Sequence, residues 1–173
     1  WRETAGYDRA QSWFVGQAVA LRELSAALRD GHADVARETP HWQALLWLVQ
    51  RTGLLEDSPQ LAALSSTAAP ATLASAVELS DQLAQRAAKS WSPAQSKTAL
   101  ARLAASQDEF LAGNVPALVL ACRADRLVLA LDRLLATQPA GTVPAAASER
   151  LTDLFRLVQS QPDFAPAKFA RAL

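Results

Sequence analysis

Apolar positions recur along this chain at the 3.6-residue spacing of a helix, and no stretch alternates as a half-buried strand would. The first periodic stretch, about Asp8 to Asp30, sets Ala10, Trp13, Phe14, Leu21, Leu24 and Leu28 on one side and turns Arg9, Arg22 and Arg29 away. A second, Pro40 to Thr52, carries Trp42, Leu45, Leu46 and Val49. A third, Pro70 to Lys89, aligns Leu73, Val77 and Leu83 among many alanines. Pro93 to Ala112 offers Leu100, Leu103, Phe110 and Leu111. Val115 to Thr137 is the most apolar and is predicted to be the most buried. Two shorter helices are predicted at Glu149 to Ser160 and Pro166 to Leu173.

Punctuation agrees with these periods. Thr39-Pro40, Ser58-Pro59 and Ser92-Pro93 each pair an N-cap residue with a proline at the first helical position, where the missing N–H costs nothing. Gln95 can complete a capping box with Ser92. Gly31, Gly53 and Gly113 each follow an apolar run, as a left-handed residue closing a helix does. The fold predicted is all-α, an antiparallel helical bundle of about five longer helices plus two or three short ones. Within this single domain, residues 1–138 form the bundle and 139–148 a linker marked by Pro139, Gly141 and Pro144. Residues 149–173 supply short helices packed on the bundle. No repeat of 20–50 residues is present. One local echo is: Asp125-Arg126-Leu127 recurs as Asp132-Arg133-Leu134, with Leu127, Leu131 and Leu134 on one seam.

Composition narrows the chemistry. The 173 residues include no Met, no Ile, one Cys, two His, one Tyr and one Asn, which is little material for a reaction centre. Because translation starts on Met, a processed or excised piece is expected. Fourteen Arg against three Lys, with abundant Ala, is the usage of a GC-rich, bacterial genome. Basic and acidic residues balance at 17 each, and no segment departs from neutrality by more than two charges. Direct nucleic-acid binding by a basic stripe is therefore not expected, and self-association meets little electrostatic resistance. The longest uncharged run, Ser58 to Val77, holds two prolines and several hydroxyls, so no transmembrane segment is expected. One cysteine does not distinguish compartments. Export with a removed signal and a cytoplasmic location fit equally.

The one group with metal-ligand flavour is His32, Asp34, Glu38 and His41. Glu38 and His41 share the spacing used by carboxylate-bridged metal bundles, but only one copy exists and Pro40 falls between them. A polar inter-helix turn is the expectation, with no metal and no cofactor. Cys122 lies in an apolar helix, where a thiol acts as a small hydrophobe. No G-x-S-x-G elbow or phosphate loop occurs, so no catalytic residue is assigned. Trp42 and Trp47 are five residues apart on one helix, and Trp13 adjoins Phe14. Such neighbours are not expected to enter one core together, leaving Trp42, Trp47 and Trp13 as partner or ligand contacts.

From Ser92 to Leu135 the chain resembles the C-terminal collar helices of bacterial DNA polymerase III clamp-loader subunits. The residues concerned are Ser92-Pro93, the turn Gly113-Asn114-Val115-Pro116, and the helix from Leu118-Val119-Leu120 onward. A second Asn in the turn is missing, and Ala121 or Cys122 stands where that family has an acidic residue. The resemblance implies an oligomerising collar. The residues themselves lead first to a non-enzymatic module for protein-protein interaction or assembly, by a protein partner or self-association. A bundle holding an apolar small molecule is the alternative.

Overall fold

The computed structural model describes residues 9–54, 58–139, 141–159 and 164–173. Among them are eight α-helices, one 3-10 turn and no strand, an all-α helical bundle. The helices are α1 (Arg9–Arg29), α2 (Val35–Arg51), α3 (Pro59–Ala62), α4 (Pro70–Lys89) and α5 (Pro93–Ala104). The 3-10 turn Gln107–Phe110 precedes α6 (Ala117–Leu135), α7 (Ala145–Gln159) and α8 (Pro166–Ala172). The predicted helix start at Asp8 and end at Ser160 lie outside the described residues.

Helices α1 and α4 run antiparallel along most of their length. The Gln11 side-chain amide donates to the Ala87 carbonyl at 2.8 Å, Phe14 meets Trp91 at a 5.4 Å ring separation, and Arg22 pairs with Asp81 further along. Gly31, at φ 71°, turns the chain sharply so that α2 returns beside α1. Trp42 Nε1 then donates to Ser25 Oγ at 2.8 Å, and Ser25 Oγ donates to the Leu21 carbonyl at 2.6 Å, all inside the core. Helix α6 packs on α2 and presents Leu127, Leu131 and Leu134 to the interior. The C-terminal helices close the bundle through Leu154, Val158 and Phe169. Phe169 packs against Phe110 with ring centroids 4.8 Å apart and planes tilted by 53°.

Several boundaries differ from the sequence expectation. Helix α2 begins at Val35, not Pro40, because Asp34 caps it: its carboxylate accepts from the Arg37 N–H at 3.1 Å. Pro40 lies in the second turn, where it deletes one bond to the carbonyl of exposed Ala36, which water can reach. Thr39 is no cap; its hydroxyl is buried without a partner. Ser58 forms no cap bond either and instead accepts from the Arg86 guanidinium. Helix α5 does carry the Ser92–Gln95 capping box but ends at Ala104 rather than Ala112. There the buried Ser106 hydroxyl takes the Leu103 carbonyl at 2.7 Å, and the 3-10 turn brings Phe110 inward while leaving Leu111 on the surface. Gly113 therefore closes no helix and has no positive φ, whereas Gly141 takes φ 81° in the loop after α6. Helix α7 starts at Ala145, inside the expected linker 139–148, since Ala145-Ala146-Ala147 is a strong helix-forming run.

The largest correction concerns the tryptophans. Every residue from Ala44 to Val49 is buried, so the second half of α2 is enclosed on all sides, while Val35, Ala36 and Arg37 at its start stay exposed. Trp42 and Trp47 can thus both enter the core from different sides of the same helix. Trp42 is fully buried and Trp47 is 7% exposed.

Candidate functional site

A surface groove runs between α5, the loop after α6, and α7. Two contiguous hollows of about 440 and 720 Å³ share Leu100, Ala104, Leu135 and Pro144. Each wall follows from helical spacing. On α5, Leu100, Ala101 and Ala104 fall on one face (i, i+1, i+4), beside Leu103, which enters the core. On α6, Leu131 and Leu135 project from the edge of the buried seam. On α7, Ala147, Leu151 and Leu154 line the far wall. The floor remains apolar because the polar groups of the loop are bonded internally. Thr137 Oγ1 and Gln138 Nε2 both donate to the Leu134 carbonyl, at 2.7 and 3.2 Å, tying off the end of α6. Thr142 Oγ1 donates to the Pro139 carbonyl at 2.7 Å, and the Ala147 N–H to the Pro144 carbonyl at 2.9 Å.

Two cations flank the apolar strip, Lys97 at the α5 end and Arg150 on α7. Among the described residues, no carboxylate, imidazole or thiol side chain lines the groove. It offers apolar area and shape.

The residues singled out from sequence lie elsewhere. His32, Asp34, Glu38 and His41 sit at the α1–α2 turn, where Asp34 serves as cap and Glu38 accepts from the Arg37 guanidinium at 2.8 Å. Helix α2 is unbroken there, so Pro40 does not separate Glu38 from His41 as expected. Among the described residues, no three His, Cys, Asp or Glu side chains come together as a metal site would require. Trp42 has no surface to offer a partner. Trp47 Nε1 donates to Glu109, which pairs with Arg51 at 3.0 Å, while the Arg123 guanidinium carbon lies 5.2 Å from the Trp47 ring centroid. Burial lowers the Arg123 pKa and the Glu109 charge partly offsets that. This cluster ties α2, the 3-10 turn and α6 together. Trp13 alone of the three stays half-exposed, in a cleft with Arg9, Ser12 and Arg133. Cys122 is buried on α6, and desolvation raises its pKa.

The groove itself escaped the sequence reading. Its α5 wall reaches the others only across the intervening residues 105–130, and Ala and Leu at those positions look like any helix edge. Among the described residues, no helix is long and apolar enough to cross a membrane. No family model, curated protein or solved structure matches this chain.

Proposed function

We propose that this chain is a non-enzymatic helical interaction module that seats the apolar face of a partner helix in the groove between α5, α6 and α7. The observation that carries the reading is the groove: an apolar trough with small residues on both walls and Lys97 and Arg150 beside it. Ala101, Ala104 and Ala147 let a partner backbone approach closely, while Leu100, Leu135 and Leu151 give anchoring side chains something to fill against. The partner is accordingly an amphipathic helix with aliphatic residues at i, i+3, i+4 and i+7, flanked by acidic residues that face the two cations.

The test is a fluorescence-anisotropy titration with a labelled synthetic peptide of that pattern, aliphatic on one face and glutamate on its flanks. Saturable binding is expected for the native chain and its loss for Ala104→Glu, an exposed substitution that lines both hollows. Equal binding by A104E, or no saturation, refutes the reading. A second reading, an apolar small molecule in the same groove, is favoured by the size of the smaller hollow. Its roughly 440 Å³ falls within the range of ligand sites. Saturable binding of 1-anilinonaphthalene-8-sulfonate without peptide binding supports that alternative.

A further inference from the structure

The side of α6 turned away from the core carries a pattern of exposed apolar and charged residues, whose C-terminal end, Arg133 and Ala136, borders the cleft beside Trp13. At 100° per residue, Leu118, Leu129 and Ala136 lie along its midline, while Cys122, in the same sector, is covered within the fold. Asp125 and Asp132 flank that line on one edge, Arg126 and Arg133 on the other. Leu118 is 57% exposed and Leu129 46%. Among the described residues, none of these four charged side chains forms an ion pair within the fold. The Arg126 Nε is shielded from water with no hydrogen-bond partner, an unsatisfied donor at the rim of the face.

A face with opposite charges on its two edges can meet its own copy in two ways. When the copies run antiparallel about Leu129, each edge meets itself, and Arg126 and Arg133 confront the partner's arginines. When they run parallel, with the twofold axis along the helices, each basic edge meets an acidic one. Arg126 then comes against the partner's Asp125, and Arg133 against the partner's Asp132. Leu118, Leu129 and Ala136 stack on their counterparts, as at the seam of a parallel coiled coil. We propose that α6 mediates parallel, twofold self-association of this chain through the Leu118–Ala136 face. The apolar line supplies burial, and the charged edges select orientation, since rim ion pairs add little affinity. The face spans about 27 Å, and it is already helical because the rest of the domain holds α6 in place. Of the groove residues on α6, Leu131 points to the opposite side and Leu135 to the flank, so the proposal stands or falls independently of groove binding.

Sedimentation velocity of the full chain from micromolar to millimolar concentration tests it. A reversible dimer is expected, with Leu129→Glu raising its dissociation constant by at least about tenfold, or 1.4 kcal/mol. The variants D125R/D132R and R126D/R133D are each expected to be monomeric alone and to dimerise when mixed, a recovery that misfolding cannot produce. Orientation is read from L118C in a C122S background under mild oxidation with copper-phenanthroline. Parallel pairing places the two introduced thiols side by side and gives a disulfide-linked dimer, whereas antiparallel pairing holds them about 33 Å apart. A chain that stays monomeric throughout, a dimer indifferent to L129E, or a reciprocal mixture that fails to associate overturns the proposal. A dimer without the L118C cross-link overturns its parallel geometry.

Discussion

Ser25→Ala is the sharpest probe of how the central helix is held. Ser25 and Trp42 are both fully buried, and Ser25 Oγ is the acceptor for the indole N–H at 2.8 Å. Removing that oxygen strands a buried donor, at a cost of about 1–3 kcal/mol. The bond from Ser25 Oγ to the Leu21 carbonyl is also lost, but that carbonyl keeps its place in the helix ladder, so this loss is minor. Alanine is the better helix former by roughly 0.5 kcal/mol, which offsets part of the penalty. The net expectation is about 1–2 kcal/mol, or a midpoint lowered by roughly 2–8 °C for a chain of this size. Urea unfolding followed by circular dichroism and tryptophan fluorescence is the assay, with a lower midpoint concentration and an unchanged slope. In a Trp42→Phe background no N–H remains to be stranded, so the same substitution is expected to be neutral or slightly stabilising. A neutral S25A in the native background, or equal costs in both, refutes the placement of Trp42 inside the α1–α2 seam.

Glycine positions separate in the same way. Gly53→Ala forces a side chain onto φ 69° and into Arg102, and is expected to cost about 1–2 kcal/mol. Gly113→Ala meets open space at an ordinary φ and is expected to be neutral or stabilising in thermal melts. Glu109→Ala removes the acceptor of Trp47 and the partner of Arg51, an expected loss of about 1–3 kcal/mol by urea titration. Glu109→Gln, which keeps an acceptor, is expected to lose less. The Cys122 thiol, raised by burial from its ordinary value of 9.0, favours the folded state fully below that pH and loses this contribution as pH rises through the folded pKa. Comparing native with Cys122→Ala stability between pH 8 and pH 11 checks the sign, since only the native chain should show this decline (pH range chosen about the thiol pKa of roughly 8.5–9).

How much of this was legible beforehand depended on whether the signal was local. Helix α4 runs from Pro70 to Lys89 as its periodicity implies, and the Ser92–Gln95 box forms as written, because proline and a capping pair act within one turn. Thr39-Pro40 misled because two start signals stood five residues apart and the stronger cap, Asp34, came first. The early end of α5 rests on Ser106 reaching back to Leu103 and on Phe110 finding Trp47 and Phe169, contacts fixed by tertiary packing. For α2 the signal was present: Ala44-Leu45-Leu46-Trp47-Leu48-Val49 is apolar without a break, which marks a helical stretch enclosed all round. The groove had no comparable mark. Leu100, Leu135 and Leu151 become neighbours only when α5, α6 and α7 pack. The charged edges of α6, by contrast, were written in the Asp-Arg-Leu echo, and its meaning waited on which side of the helix faced water.

Amide chemical-shift mapping during titration with the amphipathic acidic-flanked peptide tests the groove between α5, α6 and α7 most directly. Saturating shifts confined to the neighbourhood of Leu100, Ala104, Leu135, Ala147 and Leu151 are the expected result. Shifts concentrated around Trp13 or the α1–α2 turn, or a spectrum that does not move, contradict it.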